Sequence, residues 1–181
     1  MTPSDRSAGA EPTPRIPRIA DRAALDDEAR AVYDRIVESR GSLLRPFEIL
    51  LYAPAMAGCI GELGHVVRSE SGLADRDREL ATLATGRAQG CDFVWTSHVD
   101  AAHAAGVSSD VIDRLERGAT LDGRGGIIVA FVNELCTSSS VSDETYAAAL
   151  SLLDTRGVVE LSVTIGYYTM LSFVMRSADA C

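Results

Sequence analysis

Residues 73–106, LADRDRELATLATGRAQGCDFVWTSHVDAAHAAG, decide the fold class of this chain. Apolar residues recur at helical spacing through residues 75–88, with Leu73, Leu80, Leu83 and Ala84 on the inward face. Gly90 then separates this helix from a second one over residues 91–105, which ends at Gly106. The stretch therefore predicts two helices in succession, and its alanines and glycines favour close contact between them.

The rest of the chain follows the same period. Further helices are predicted near residues 21–41, 55–69, 111–117, 122–137, 146–153 and from 157 to about 177. In the helix at 55–69, Met56, Ile60, Leu63 and Val67 form the predicted inward stripe. Pro46 is placed in a loop, and no alternation of period two is long enough for a strand. We expect an all-α, compact domain of about seven or eight helices.

One domain is expected from the length, since 181 residues compare with roughly 150 per domain. Residues 1–20 contain four prolines and one glycine and predict a flexible N-terminal arm, which could lie on a neighbouring subunit. Residues 21–178 form the predicted single helical domain.

Charge and hydropathy narrow the function classes. The chain has 17 arginines and no lysine, and its net charge is −9. The absence of lysine excludes enzymes that need a Schiff-base lysine or a P-loop lysine. The negative net charge disfavours binding to nucleic acid or to anionic membranes. The apolar stretch 158–175 is interrupted by polar residues, so we predict a buried core helix rather than a membrane span. No signal peptide is evident, and a cytoplasmic protein is expected.

The cysteines and histidines delimit the chemistry. The four cysteines, Cys59, Cys91, Cys136 and Cys181, form no CxxC pair and match no zinc spacing, so neither a metal nor another cofactor is expected. Acid–base work near neutral pH must fall on the cysteines, on a carboxyl group or on His65, His98 and His103.

The densest reactive cluster is the run from Cys91 to His98, CDFVWTSH. On a helix these two residues are almost two turns apart and are predicted to share a face, as are Trp95 and His98. Cys91 would lie in the first helical turn, where the helix dipole lowers a thiol pKa. Glu79 on the preceding helix approaches the same pocket if the two helices pair antiparallel.

Several motifs resemble the carboxymuconolactone decarboxylase / alkyl hydroperoxidase D superfamily. They are LADRDREL at 73–80, GCDFVWTSH at 90–98, AAGVS at 104–108, PAMA at 54–57 and ELSVTIGYYTM at 160–170. The resemblance covers roughly residues 18–178 and implies the helical fold of that group. It also implies a homo-oligomer, a trimer or hexamer, whose subunit boundary would include the Tyr167–Tyr168 pair.

The resemblance assigns roles position by position. In the peroxidase branch a Glu, a Cys-x-x-Cys pair and a His act together, and Glu79, Cys91 and His98 occupy three of those positions. Val94 stands at the position of the second cysteine, so it cannot resolve a sulfenic acid at Cys91. A resolving thiol from Cys59, Cys136 or Cys181 is conceivable, but no spacing favours one. In the non-peroxidase branch Val94 replaces a glutamate instead.

The leading hypothesis is a cofactor-independent enzyme that transfers protons on a small unsaturated carboxylic acid, lactone or polyketide-like compound. Decarboxylation, isomerisation, dehydration or cyclisation would all fit, in a lyase or isomerase suited to bacterial secondary metabolism. The predicted catalytic residues are His98, Glu79 and Cys91, and the predicted substrate-binding residues are Trp95, Asp92, Phe93 and Val94. Arg45 and Arg87 are further candidates for binding an acidic group. The alternatives are a Cys91-based hydroperoxidase or thiol redox protein, and a non-catalytic binding or assembly protein.

Overall fold

The computed structural model describes residues 15–19 and 21–181, so residues 1–14 and 20 of the predicted arm lie outside it. Eight α-helices and one 3₁₀ turn make up this part of the chain, and it contains no strand. The turn is Arg22–Ala24, and the helices are α1 (Asp27–Arg40), α2 (Arg45–Leu50), α3 (Pro54–Ser69), α4 (Asp75–Ala88), α5 (Asp92–Ala104), α6 (Ser109–Glu116), α7 (Gly123–Ser138) and α8 (Asp143–Ser177). The predicted all-α class is confirmed.

Side-chain caps explain where several helices begin. The Asp26 carboxylate accepts a hydrogen bond from the backbone N–H of Ala29 and starts α1. Ser108 and Ser142 cap α6 and α8 in the same way. Pro46 lies in the first turn of α2 rather than in the predicted loop, which proline tolerates because the first-turn N–H has no helical partner.

Helix α8 contains a break that the sequence predicts slightly too late in the chain. Its first and second segments meet at Asp154, which has a left-handed φ of 62°, three residues before the glycine expected to separate them. The Asp154 carboxylate accepts a hydrogen bond from the Gly157 backbone N–H at 3.0 Å. Asp154 therefore caps the second segment, so the polar side chain and not the glycine sets the boundary.

Two clusters of buried apolar side chains form the core. One joins α1, α2 and α3 to the C-terminal part of α8, and the other joins α4, α6 and α7 to the middle of α8. Helix α8 thus runs through both clusters. It is the one described helix long and apolar enough to cross a membrane, and half of its apolar window is buried in the fold.

The inward face of α3 differs from the predicted stripe. Ala57, Gly64 and Val67 are buried, whereas Met56 and Leu63 are exposed. The small residues face inward because side chains of α1 and α8 approach the α3 backbone closely there. Exposed apolar side chains also occur on the outer face of α8, at Val159, Val163 and Phe173.

The described end of the N-terminal arm packs on its own chain. The Arg15 guanidinium is 2.7 Å from the Asp179 carboxylate, and the Ile19 backbone N–H donates to the Glu48 carbonyl. Residues 15–19 of the arm therefore pack against α2 and against the segment that follows α8. Whether the chain forms the expected trimer or hexamer stays a prediction.

A buried ion pair joins α4 to α7. Asp77 is 1% exposed, and its carboxylate accepts hydrogen bonds from Nε and Nη2 of Arg124 at 2.8 and 2.5 Å. The carboxylate in turn raises the pKa of Arg124. An unpaired carboxylate at this depth would lose its hydration without compensation, so the pair constrains how the two helices pack.

Replacing Arg124 with alanine is expected to lower the free energy of unfolding by about 2 kcal/mol, because the buried Asp77 charge loses its partner. The Arg124 side chain is 43% exposed, which keeps the loss below that of a fully buried pair. Urea denaturation followed by circular dichroism measures it. The control is Arg22→Ala, which removes an exposed pair with Asp34. Equal effects of the two substitutions would contradict a special role for the Asp77 pair.

Candidate active site

The central feature of the candidate site is a histidine–carboxylate pair between α4 and α5. Nδ1 of His98 is 2.9 Å from Oε2 of Glu79, and the two side chains are 18% and 8% exposed. With Glu79 ionised, the Nδ1 proton is donated to the carboxylate, and Nε2 is left to meet a substrate. The pairing expected from the two successive helices is thus present.

A tight helix ending brings these two side chains together. Gly90 has a left-handed φ of 58°, and the backbone N–H groups of Gly90 and Cys91 bond to the carbonyls of Arg87 and Gly86. This pattern is a Schellman motif, which reverses the chain at the end of α4. A Cβ at Gly86 would be only 2.9 Å from Cγ1 of Val94, so glycine is required for α4 and α5 to pack this closely.

Glu79 has a second partner on its own helix. Nε of Arg78 is 3.5 Å from Oε1 of Glu79, and Nη1 of Arg78 is 2.8 Å from the Asp75 carboxylate. Glu79 therefore both neutralises an arginine and orients the imidazole. Both contacts of Glu79 are made in the same geometry.

Tyr168 packs against the imidazole. The rings of His98 and Tyr168 meet edge to face with centroids 4.9 Å apart, and Tyr168 is almost fully buried. Burial, reinforced by the nearby Glu79 carboxylate, raises the pKa of Tyr168 well above its ordinary value. Tyr168 therefore keeps its proton at neutral pH.

His98 faces a cavity of about 370 Å³, large enough for a small organic molecule. Its apolar wall comes from α2, α5 and α8, and its polar side chains come from four helices, α1, α3, α5 and α8. The lining residues are Ser39, Arg40, Leu44, Pro46, Phe47, Arg68, Phe93, Val94, Ser97, His98, Tyr167, Tyr168 and Leu171.

Two arginines give this cavity a positive charge. Nε of Arg40 and Nη1 of Arg68 are buried and have no hydrogen-bond partner among residues 15–19 and 21–181. Burial and, after it, repulsion from Arg40 lower the pKa of Arg68. Both guanidinium groups nevertheless stay cationic, because arginine remains protonated in proteins. Buried donors without partners beside a histidine form a site that suits an anion.

A glycine on α3 makes room for this arrangement. A Cβ at Gly64 would collide with the hydroxyl of Tyr167 and with the Arg40 guanidinium. The Arg40 Nη2 group donates to the Tyr167 hydroxyl at 3.1 Å, and the guanidinium lies 4.5 Å from the centre of the Phe47 ring. Tyr167 and Tyr168 are thus buried within one chain, as part of the cavity wall, rather than at the expected subunit boundary.

The structure separates the predicted site residues into two groups. His98, Phe93 and Val94 line the cavity, and Glu79 supports His98 from behind. The other three, Cys91, Asp92 and Trp95, line a different recess of about 250 Å³.

Cys91 and His98 therefore do not share the pocket expected from their spacing. Seven residues along a helix separate the two by about 10 Å, and Cys91 is the N-cap of α5 rather than a residue of its first turn. Its sulfur forms a disulfide with Cys181 in the C-terminal tail. Cys59 and Cys136 are free thiols.

The anion-binding candidates also differ from those expected. Arg45 donates to the Ala180 carbonyl, and Arg87 borders the recess beside Cys91, so neither lines the cavity at His98. Arg40 and Arg68 were missed, although a signal for them exists in the sequence. Arg40 continues the buried Val32–Ile36 stripe by one more turn, and Arg68 follows Gly64 by four residues, so both charges fall on core-facing positions.

Neither a further groove nor the described His, Cys, Asp and Glu side chains add a metal site. A groove of about 490 Å³ between α1 and α3 contains His65 but none of the predicted site residues. Over residues 15–19 and 21–181, no three His, Cys, Asp or Glu side chains lie where they could bind a metal together.

Comparisons with known proteins agree with this architecture. The model of the carboxymuconolactone decarboxylase family matches residues 54–134, which include Glu79, Cys91 and His98. A search of curated protein sequences finds no matching relative.

Two crystal structures share the fold. One is a peroxidase-related protein from Ralstonia eutropha JMP134, described as an alkylhydroperoxidase AhpD core; it is 18% identical, with a TM-score of 0.75, over 95% of this chain and 93% of that one. The other is a peroxidase-related protein from Silicibacter sp. TM1040, 16% identical, with a TM-score of 0.73 over 94% of each chain. The resemblance to the carboxymuconolactone decarboxylase / alkyl hydroperoxidase D-like superfamily is therefore confirmed: the family model matches the middle of the chain, and the two crystal structures share its fold.

Proposed function

We propose that the chain is a cofactor-independent enzyme that binds a small unsaturated carboxylic acid or lactone and transfers a proton at one of its carbon atoms. The observation that carries this proposal is the His98–Glu79 pair beside two buried arginines in one cavity. The match of residues 54–134 to the carboxymuconolactone decarboxylase family model supports an enzyme of this general kind. Decarboxylation, isomerisation, dehydration and cyclisation share the same proton-transfer logic.

The arginines would anchor the substrate. A carboxylate oxygen at the unpartnered Nε of Arg40 or Nη1 of Arg68 restores the hydrogen bonds that these buried groups lack. Such charge-assisted bonds are shorter and stronger than neutral ones. The anchored substrate would be held in a fixed orientation to the imidazole, which lowers the entropy cost of reaching the transition state.

His98 would move the proton. In its neutral form Nε2 can take a proton from carbon, and in its protonated form the same atom can return one to an enolate. Glu79 keeps the ring oriented and stabilises the imidazolium that forms. The Tyr168 phenol, which stays neutral, supports the ring without competing for the proton.

The apolar wall of the cavity favours a reaction in which negative charge develops on the substrate. Phe93, Val94 and Leu171 present apolar surface beside His98. In a site of low polarity an enolate is stabilised by the fixed arginine charges more strongly than in water. Val94, where the related branches have a cysteine or a glutamate, makes this wall more apolar and points to a substrate that differs from theirs.

The alternatives are less well supported by this geometry. A hydroperoxidase that uses Cys91 and His98 together would need the two side chains in one pocket, and they line different ones. A binding or assembly protein without catalysis would not need an oriented imidazole beside the unpartnered guanidinium donors. A cytoplasmic location and assembly into trimers or hexamers remain part of the proposal.

Replacing His98 with alanine is expected to reduce proton transfer by at least about a hundredfold, since the imidazole is the general acid and base. The measurement is a nuclear magnetic resonance screen in D₂O with carboxymuconolactone and a panel of unsaturated carboxylic acids and lactones. Conversion or deuterium incorporation at carbon reports turnover whichever of the four reactions takes place. Glu79→Gln is expected to lose about tenfold, because the ring remains but is less well oriented.

The matched control is His65→Ala, which removes an exposed histidine that lies outside the cavity. It should leave the rate of wild type unchanged. A rate for His98→Ala within a few fold of wild type would reject the proposed role of the imidazole.

Replacing Arg68 with alanine is expected to weaken the binding of sorbate or cis,cis-muconate about tenfold or more, because one charge-assisted hydrogen bond is lost. Calorimetric titration measures the change. Arg117→Ala, an exposed arginine outside the cavity, changes the net charge equally and should leave the affinity unaltered. Equal affinities for Arg68→Ala and wild type, or no binding of any carboxylate, would contradict an anion site at this position.

A further inference from the structure

A second pair of reactive groups lies outside the cavity at His98. Cys91 and Cys181 are bonded through their sulfurs, with Cα atoms 5.0 Å apart and 90 residues between them in sequence. The proton-transfer function proposed above does not use either residue. The recess beside Cys91 has a volume of about 250 Å³ and is lined also by Arg87, Trp95 and Glu116.

Two helix endings of the same type bring the cysteines together. Cys91 follows the Schellman motif at the end of α4. The end of α8 repeats the pattern, since the Asp179 and Ala180 N–H groups bond to the carbonyls of Arg176 and Met175, and Asp179 has a left-handed φ of 53°. This second reversal turns the tail back, so that Cys181 reaches the start of α5.

The C-terminal tail is held by contacts that do not depend on the disulfide. Ala178 and Ala180 are buried in the core cluster around α1–α3. Arg45 donates to the Ala180 carbonyl, and Arg15 pairs with Asp179. The two sulfurs therefore stay close together when the bond is reduced, and the effective concentration of one for the other is high. Such an arrangement suits a bond that opens and closes repeatedly.

The two ends of the bond differ in access. Cys91 is 1% exposed, whereas Cys181 is an exposed residue. An entering thiolate therefore meets the Cys181 sulfur first. Cys91 occupies the N-cap position of α5, where the helix dipole stabilises a departing thiolate, and a thiolate so stabilised leaves faster.

We propose that Cys91 and Cys181 form a dithiol/disulfide site that exchanges with small thiols, with Cys181 as the atom attacked and Cys91 as the leaving group. The thiolate of a small dithiol bonds to the Cys181 sulfur, the Cys91–Cys181 bond breaks, and the electron pair leaves on Cys91. The second thiol of the reductant then displaces Cys181, which gives the oxidised cyclic disulfide and two protein thiols. Two electrons and two protons pass to the protein, and a small disulfide reverses the reaction.

The test uses the 181-residue chain with Cys59→Ser and Cys136→Ser, so that every titrated thiol belongs to the pair. Oxidised protein is treated briefly with glutathione in native buffer, quenched in acid, alkylated and analysed by peptide mass spectrometry. Glutathione is expected on Cys181 in at least tenfold excess over Cys91. A mixed disulfide mainly on Cys91, or on neither residue, would overturn the assignment.

A second measurement separates an exchange site from a purely structural bond. Thiol counts and helical circular dichroism are followed in parallel during titration with dithiothreitol. Two thiols should appear with the helical signal intact, and oxidised glutathione should remove them again. Reduction that occurs only as the helices unfold, or thiols that do not pair again in oxidised glutathione, would overturn the proposal.

The tail contacts supply a matched pair of variants. Arg45→Ala removes the hydrogen bond to Ala180 and should slow the closing of the mixed disulfide by several fold, because the tail is less well held. Arg117→Ala removes an arginine that makes no contact with the tail, so the mixed disulfide of this variant should close at the rate of the original protein. Identical closing rates for both variants would show that the tail contacts do not hold Cys181 in place and would overturn that step.

Discussion

The fold depends on pairing the charges that α4 carries into the protein interior. This helix packs against α5, α7 and α8, and Asp77 and Glu79 are both buried within it. A buried carboxylate requires a partner, and each one finds it on a different neighbouring helix. Asp77 takes Arg124 from α7, and Glu79 takes His98 from α5. One physical requirement therefore positions a structural ion pair and the candidate catalytic histidine.

The cavity lies where the two core clusters meet along α8. Tyr167 and Tyr168 belong to the cluster around α1–α3, whereas Glu79 belongs to the helix at the centre of the other. Arg40 of α1 and Arg68 of α3 contribute the positive charge of the cavity, and His98 of α5 contributes the imidazole. The groups proposed to bind the substrate and the group proposed to transfer the proton thus come from different helices. The disulfide, at the start of α5, is chemically separate from both.

Local signals in the sequence were sufficient for the helical architecture. They placed Glu79 near His98 only on the condition that the two helices pair antiparallel, and the family resemblance supplied the expectation that the two residues act together. Arg40 and Arg68 were not recognised, since an arginine at a core-facing position is read as a surface residue until the surrounding helices show the cavity. The Cys91–Cys181 bond joins residues 90 positions apart, and no local pattern encodes a contact that depends on how both ends of the fold pack. The prediction for the inward face of α3 was wrong for a related reason. Glycine has no side chain to bury and is not expected to face the core, but here side chains of neighbouring helices lie where a Cβ atom would be.

The buried phenol of Tyr168 has a consequence for alkaline conditions. In the unfolded chain a tyrosine ionises near pH 10, whereas in the folded chain burial raises the pKa of Tyr168 well above that value. Below pH 10 Tyr168 is protonated in both the folded and the unfolded chain, so it does not change the free energy of unfolding. Above it the unfolded chain releases the proton and the folded chain does not, and stability falls as the pH rises. The tyrosinate absorbance of this residue would therefore emerge only with the collapse of the cavity wall, which makes it an optical reporter built into the site.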